Sequence, residues 1–435
     1  MSAQLIITLC VILFIIIGFF SGKFGLGLVA MTASAILCLT GVLTFEETFA
    51  YFSNSTVVIV FCMLVLGASL QKTHFTVNLQ KKLLKFAGHG QGIKLVALYL
   101  IACCIMVQVL MPTPLVTMMI PFMASLVGSE EVTPSRLLLP GAVIAHCAQC
   151  AVPLGTGLTI AAQVNGFLQS AGASLELGIM DVAKVAVFPL IIVLLYMIFV
   201  GWRTIPKYDI DTSKGKAMVI DESNFVSPEK EKLIYIVFIV TMILMLIGKK
   251  LPFSMYIVGV FAILILRYTN CISTLDIKNA MNFNVLFLLG GILPVATAMQ
   301  KSGAGEWITG IVNTMLGSHP SGILILVVFT FAVAILTQLM SNTATWYVFS
   351  PLAATVAMNN GYAPAAFIIA TSLASFGAML APTASPSIAV AYGAGHYTMK
   401  DMLRTMLPVW LIYNISVIIV TVHSSPCIVK AGPLN

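Results

Sequence analysis

Apolar segments of roughly twenty residues, separated by short polar stretches, recur along the whole chain. A helix needs about 20 predominantly apolar residues to cross the hydrocarbon core of a bilayer. The pattern therefore predicts an all-α polytopic membrane protein whose spans are bounded by charged residues, Gly or Pro. The predicted spans cover residues 4–20, 25–43, 56–70, 137–154 and 182–200 in the first half, and 233–247, 256–266, 283–299, 366–380 and 402–422 in the second.

Two further apolar segments are interrupted by polar residues, with tips at 108–113 and 338–345. The first of them, at 95–127, could form two full spans or a re-entrant hairpin, and the loop at 128–136 and the later topology favour hairpins. Residues of the first tip recur in the second at one common offset: Gln108, Thr113 and Pro121 correspond to Gln338, Thr343 and Pro351. This indicates an internal duplication in which each half has five spans and one hairpin. Because five is odd, the second half runs in the opposite direction through the membrane. Inverted repeats with broken helices at matching positions are typical of secondary transporters.

This pattern divides the chain into a first inverted repeat at 1–200, a polar cytoplasmic linker at 201–232 and a second inverted repeat at 233–435. Residues 71–88 interleave lysines with apolar side chains and predict an amphipathic helix at the membrane interface, with 300–316 at the matching place. The lysines place 71–88 in the cytoplasm and the N-terminus outside. Residues 4–20 lack the basic flank and cleavage site of a signal peptide, so we expect a retained span.

Composition narrows the classes of function. Apolar residues make up 59% of the chain and charged residues only 9%. The expected partners are therefore the lipid bilayer and a small solute, and not a nucleic acid. All fifteen acidic residues lie in loops or at span ends, which disfavours a proton antiporter built on a carboxylate inside the membrane. No cofactor is expected apart from a coupling ion.

The four helix breaks are the places where chemistry is expected: the two hairpin tips and the loops at 155–159 and 381–387. Gly and Pro end helices there and free backbone groups, while Ser and Thr supply hydroxyls. Helix N-termini at such a break favour an anion, and opposed carbonyls suit a cation such as Na⁺. With no basic residue at mid-depth, an anionic substrate would be held by dipoles, hydroxyls and amides.

Other conspicuous residues have simpler interpretations. His146, Cys147 and Cys150 are spaced like a weak metal cluster, or like the base and nucleophile of an intramembrane hydrolase. The metal cluster is disfavoured because it has no partner site, and the hydrolase because no acid is available; the cysteines are interpreted as reduced packing residues. Gly290 and Gly291, inside an apolar span, predict a close contact between helices. We therefore expect a transporter and not an enzyme.

Ser341-Asn342-Thr343, followed by Pro351, and the paired breaks resemble the divalent anion/sodium symporter family, which carries dicarboxylates, tricarboxylates or sulfate. That family has two Ser-Asn-Thr tips, each followed by a Thr-Pro-Pro-Asn-like break. The resemblance implies a homodimer in the cell (plasma or inner) membrane. It also implies a scaffold made of the first three spans of each half, and a transport domain that moves like an elevator.

The resemblance further implies a set of site residues at the tips and breaks. Those expected to bind the substrate are Pro112, Thr113, Thr156, Thr159, Ser341, Asn342, Thr343, Ser385, Pro386 and Ser387. Thr113 would face the anion from one side and the Ser-Asn-Thr tip from the other. Those expected at a Na⁺ site are Thr337 and Asn342 with the backbone at Met340 and Ala384.

The chain departs from the family pattern at the first tip and at both breaks. The first tip reads Met111-Pro112-Thr113, and proline has neither an N–H nor a side-chain oxygen. Thr159 and Ser387 stand where the family has asparagine. The expected function is Na⁺-coupled symport of a di- or tricarboxylate through the second tip. Fewer coupled Na⁺ ions, Na⁺-independent anion exchange, and transport of sulfate or another anion remain open alternatives.

Overall fold

The computed structural model describes residues 2–75, 77, 78, 82, 92–108, 110–126, 132–154, 156–173, 175–211, 225–248, 252, 254 and 256–424, with the backbone alone at 121, 122 and 124–126. Within these residues all regular secondary structure is helical. Five helical stretches are long and apolar enough to cross a membrane: Ala3–Ser21, Phe45–Gln71, Ile179–Thr204, Phe283–Ser302 and Met399–Ser424. The prediction of an all-α polytopic membrane protein is confirmed.

The helices follow one another in a similar order in the two halves of the chain. Those of the first half are α1 (Ala3–Ser21), α2 (Leu26–Leu39), α3 (Phe45–Phe49), α4 (Ser55–Gln71), α5 (Ile93–Met106), α6 (Pro112–Leu126), α7 (Pro134–Ala148), α8 (Thr156–Ser170) and α9 (Ile179–Tyr196). Those of the second half are α10 (Pro228–Leu246), α11 (Tyr256–Tyr268), α12 (Thr274–Ala280), α13 (Phe283–Ser302), α14 (Ala304–Leu316), α15 (Gly322–Leu336), α16 (Asn342–Asn359), α17 (Pro364–Ser375), α18 (Pro386–Gly395) and α19 (Met399–Ser424).

Helices α8 and α18, one after each break, were not predicted from hydropathy. The predicted span at 137–154 is also too long, because α7 ends at Ala148 and the break begins there. Helix α8 was missed because buried polar side chains lower its hydropathy. Asn165 is the clearest case: its amide donates to Leu177 O and its Oδ1 accepts from Leu177 N, both at 2.9 Å. A polar residue with such partners is tolerated in a buried helix.

The predicted close helix contact at Gly290-Gly291 is confirmed by the packing of α2 against α13. Gly27 N donates to Asn284 Oδ1 at 2.8 Å, and Ser34 Oγ donates to Gly291 O at 2.5 Å. A Cβ atom at position 291 would lie 2.5–2.7 Å from the backbone of α2 at Ala30 and the residue after it. Only a residue without a side chain permits this approach, which joins the two halves of the chain.

Substitution of Gly291 by alanine is expected to destabilise the protein by about 1–3 kcal/mol, because the new methyl group would collide with the backbone of α2. The matched control is Gly310→Ala in α14, where an added Cβ meets nothing within 4 Å. Thermal unfolding in detergent checks both variants. An unchanged midpoint for Gly291→Ala would contradict the packing described above.

Similar caps begin the third long helical stretch of each half. Thr44 and Glu47 form a capping box at α3, and Ser273 and Asp276 form one at α12. Each of these acids also pairs with a lysine of the other half: Glu47 with Lys301, and Asp276 with Lys72. The two ion pairs occupy corresponding positions, since both members are related by one common sequence offset.

The ends of the predicted linker at 201–232 are packed against the helices. Tyr208 N donates to Ser135 Oγ at 2.9 Å, and Asp211 N donates to Ala394 O at 2.8 Å. At the other end, Val226 N donates to the backbone oxygen at position 72 at 3.1 Å. Residues 212–224 lie outside the described residues, as does most of the predicted amphipathic helix at 71–88.

Candidate functional site

The second tip is the turn between α15 and α16. Ser341 ends the break by capping α16, since its Oγ accepts from Ala344 N at 3.2 Å. Thr337, which is fully buried, lies with its Oγ1 2.9 Å from Asn342 Oδ1 and 2.8 Å from Ser375 O. Met340 is buried, Asn342 and Thr343 are half-buried, and Ser341 is exposed. The predicted cation residues Thr337 and Asn342 are therefore in direct contact.

Gln338 connects this tip to the second break. Its Nε2 donates to Ala334 O at 2.8 Å and to Gly377 O at 3.1 Å. Its Oε1 accepts from Met379 N at 3.1 Å and from Leu380 N at 2.9 Å. This one amide therefore satisfies three backbone groups of the break that follows α17, together with one carbonyl of α15. In the sequence, Gln338 is visible only as a marker of the duplication, and nothing near it along the chain predicts this role.

The second break contains a 3₁₀ turn at Pro382–Ala384 followed by α18. Ser385 caps α18 by accepting from Ile388 N at 3.2 Å, and Pro386 occupies the first turn, where a missing N–H costs nothing. Ser385 and Ser387 are 4% and 1% exposed, and both hydroxyls approach one atom of α7. His146 Nε2 lies 2.8 Å from Ser385 Oγ and 2.5 Å from Ser387 Oγ. Ala384 is buried beside them.

His146 thus connects the first half of the chain to the second break. Its Nδ1 lies 3.3 Å from Gln149 Nε2, so both ring nitrogens have neighbours. The sequence analysis considered His146 only with its cysteine neighbours, as a weak metal cluster or a hydrolase base. No signal in the sequence could relate it to serines more than two hundred positions away. Among the described residues, no group of three or more His, Cys, Asp or Glu is arranged to hold a metal ion.

The first tip lies between α5 and α6, and it repeats part of the second. Gln108 Nε2 donates to Cys104 O at 2.9 Å and to Ala148 O at 2.8 Å, as Gln338 does to the corresponding carbonyls. Its Oε1, however, is buried without a partner among the described residues. Pro112, at the first turn of α6, is buried and Thr113 is half-buried. The first tip is therefore less well connected than the second.

A cleft of about 740 Å³ opens next to the first tip and the first break. Met111 contributes from the tip, and Thr156 and Thr159 from the start of α8. Thr159 Oγ1 donates to Thr156 O at 2.7 Å, within the first turn of the helix. The other lining residues lie on or next to α4, α12 and α13: Met63, Leu64, Gly67, Ala68, Gln71, Lys72, Asp276, Asn279, Ala280, Met281, Asn282 and Phe283. Gly155, in the same break, lies outside the described residues.

The structure therefore separates the predicted substrate residues into groups. Thr156 and Thr159 line the cleft. Ser385 and Ser387 are buried against His146, and no residue of the second tip is among the described residues that line the cleft.

Apolar helices long enough to cross a bilayer, arranged around polar helix breaks, are the features of a multi-pass membrane transporter. A family model described as citrate transporter matches residues 11–374. The chain belongs to this citrate transporter family, a family of membrane transporters and not of enzymes. The predicted resemblance to a family of anion transporters is confirmed, and the protein is a multi-pass protein of the cell membrane.

Curated relatives match shorter stretches. The chain is 32% identical over 158 residues to an uncharacterized transporter of Synechocystis, covering 36% of this chain and 25% of that one. It is 30% identical over 130 residues to the rat Na⁺/dicarboxylate cotransporter 3, covering 30% and 21%. It is 28% identical over 153 residues to the sodium-dependent dicarboxylate transporter SdcS of Staphylococcus aureus, covering 35% and 29%. The chain thus matches less than a third of the length of each of these relatives.

Solved structures match over most of the chain. The YdaH transporter of Alcanivorax borkumensis aligns with a TM-score of 0.61 at 13% identity, covering 87% of both chains. MtrF of Neisseria gonorrhoeae aligns with a TM-score of 0.58 at 16% identity, covering 89% of this chain and 83% of that one. At these identities the similarity establishes the fold alone.

Proposed function

We propose that this protein is a secondary active transporter of small anions, in the first place di- and tricarboxylates, that couples their movement to Na⁺. The observation that carries the proposal is the cleft of about 740 Å³ that is lined by residues of the first tip and break and of α4, α12 and α13. Its volume is in the range of about 300–1,000 Å³ that is usual for small-molecule sites. The citrate transporter family supports the substrate class.

The chemistry of the cleft suits an anion. Thr156 and Thr159 bring side-chain oxygens to the N-terminus of α8, where the helix dipole favours negative charge. Thr113 stands at the start of α6 and is not among the described residues that line the cleft. Ser341, Asn342 and Thr343 stand at the start of α16, also outside that lining, so Thr113 and these three residues would reach the anion only after a movement of the tips. Pro386 and the serines on either side of it would do so only after moving away from His146.

We assign the coupling cation to the second tip. Thr337 and Asn342 bring two side-chain oxygens within 2.9 Å of each other, and the carbonyls of Met340 and Ala384 would be needed to complete an all-oxygen site. Oxygen ligands of this kind suit a hard cation such as Na⁺. The names of the Na⁺/dicarboxylate cotransporter 3 and SdcS relatives support sodium as the coupling ion.

Alternating access by an elevator movement of inverted repeats is part of the proposal. Its support is the recurrence of features in the same order in both halves: the glutamines at the two tips, the capping boxes at α3 and α12, and the two inter-half ion pairs. Helices α1–α4 and α10–α13 would form the scaffold of a homodimer. The hairpins and the helices that follow them would form the moving transport domain.

Na⁺-independent anion exchange is the alternative, and a specific observation favours it. The first tip has Pro112 where a cation ligand is expected, and the Gln108 oxygen beside it has no partner among the described residues. A transporter with one incomplete cation site would couple to fewer ions or to none. Sulfate and other small anions remain alternative substrates.

Uptake into liposomes that contain the purified protein tests these proposals. Labelled succinate, citrate and sulfate would each be supplied with Na⁺ outside, inside or absent, and with or without the same anion inside. We expect uptake of succinate or citrate that is driven by an inward Na⁺ gradient. Uptake that ignores Na⁺ but requires internal anion would establish the exchanger. Failure to take up any of the three anions would contradict the proposed substrate class.

A further inference from the structure

An ion pair is part of the lining of the cleft. Lys72 Nζ lies 2.7 Å from Asp276 Oδ2, and the two side chains are 29% and 28% exposed. Both residues line the cleft together with Thr156 and Thr159. Lys72 is the one basic side chain among the described lining residues. A substrate anion in this cleft therefore meets a cation that already has a partner.

Asp276 has hydrogen-bond donors besides Lys72, so the two members of the pair do not rely equally on each other for hydrogen bonds. Asp276 Oδ2 also accepts from Ser273 N at 2.7 Å and from Ser273 Oγ at 2.8 Å, because Asp276 belongs to the capping box of α12. Partial burial works against ionisation, but the bonds from Lys72 and Ser273 hold the pKa of Asp276 below its usual value. The carboxylate thus keeps two donors when the lysine leaves. Within the described residues, Asp276 is the one side chain that accepts a hydrogen bond from the Lys72 ammonium.

A lysine can exchange one carboxylate partner for another. Its ammonium is a compact charge with three donors on a flexible stem, so it can turn from one carboxylate to another without rebuilding the backbone. Hydrogen bonds between an ammonium and a carboxylate are stronger than neutral ones. Because the pair is partly exposed, the cost of separating it is small.

We propose that Lys72 captures the substrate in the cleft by exchanging its bond to Asp276 for a bond to a carboxylate of the anion, with Asp276 as the competitor. This inference rests on the proposed function and adds a substrate-binding residue to it. Lys72 sets the affinity for carboxylate anions on the side to which this cleft opens, and Asp276 returns the lysine to its resting position after the anion has left.

Replacing Lys72 and replacing Asp276 by an uncharged residue are expected to have opposite effects on the KM. Lys72→Gln is expected to raise the KM for succinate and citrate about three- to tenfold, because a charged hydrogen bond to the anion is lost. Asp276→Asn is expected to lower the KM about two- to fivefold, because the competing negative charge is gone. Asn retains an oxygen for the capping box. A pair that serves only to hold α4 to α12 would give both variants the same direction of change.

The measurement is initial uptake into oriented membrane vesicles, supplied from the side to which the cleft opens. A second readout is the dependence of kcat/KM on ionic strength, which Lys72→Gln should flatten and Lys72→Arg should restore. Glu47→Gln and Lys301→Gln are the matched controls, since this pair occupies the corresponding position between the halves and does not line the cleft. Both should leave the KM from this side unchanged.

The outcomes separate this inference from the proposed function. A parent protein that takes up none of the anions contradicts the proposed function. A parent that transports, but whose Lys72→Gln and Asp276→Asn variants change the KM in the same direction or not at all, overturns the inference alone. If Lys72→Gln does not fold, Asp276→Asn decides the question by itself, because only the competitor role predicts a lower KM.

Discussion

Transport driven by Na⁺ is expected to be lost when Asn342 is replaced by alanine. Asn342 Oδ1 lies 2.9 Å from Thr337 Oγ1, and these two oxygens belong to the proposed cation site. Removing one ligand should weaken the apparent Na⁺ affinity by about 10- to 100-fold or more, by comparison with the loss of groups that support metal ligands. Uptake of labelled succinate or citrate as a function of Na⁺ concentration measures the effect.

The structure indicates that this variant will fold. The hydroxyl of Thr337 keeps a second acceptor in Ser375 O, at 2.8 Å, so the substitution leaves no buried donor without a partner. The matched control is Thr355→Val in the same helix, where the one partner of the hydroxyl among the described residues is Pro351 O of its own helix, at 2.9 Å. Thr355→Val should transport like the parent. Normal Na⁺-dependent uptake by Asn342→Ala would contradict the cation site at the second tip.

The second large effect is expected on stability, from the glutamines of the two tips. Gln338→Leu removes an amide that serves three backbone groups at the end of α17, those of Gly377, Met379 and Leu380. Each buried group left without a partner costs about 1–3 kcal/mol, so a loss of about 3 kcal/mol or more is expected. The loss of stability is measured by thermal unfolding in detergent, which is monitored through the reaction of the buried cysteines with a thiol dye.

Gln108→Leu is the matched variant at the first tip. The Gln108 oxygen has no partner among the described residues, and Ala148 O also accepts from Ala151 N at 3.1 Å. Removing the Gln108 amide should therefore lower the free energy of unfolding by less than about 1 kcal/mol. Equal destabilisation by the two substitutions would show that the Gln338 hydrogen bonds are not what holds the second tip to the second break.

Hydropathy and motif spacing predicted much of the fold but not all of it. The long spans were visible because a bilayer imposes length and apolarity on each segment separately. Helix α8 was not, because its buried Asn165 and Gln163 lower the hydropathy of the segment. Both amides find partners elsewhere in the fold, Asn165 at Leu177 and Gln163 at the hydroxyl of Tyr347.

The candidate site likewise has a part that the sequence predicts and a part that it does not. The Ser341 to Thr343 motif and its neighbour Thr337 stand close together in sequence, and a local turn is enough to bring them into contact. His146 and Ser387 belong to different halves, so their contact depends on how α7 packs beside the second break. A sequence offers no measure of that distance.

The sequence by itself determined that this chain is an all-helical membrane protein with two polar tips, related by a common offset, because apolar length and helix-breaking residues act locally. The tertiary structure alone decided that Thr156 and Thr159 face a cleft, that Ser385 and Ser387 are buried against His146, and that the cleft carries the Lys72–Asp276 pair. These contacts join residues far apart in the chain. They depend on how the helices pack, and the pattern of side chains along one segment does not specify that packing.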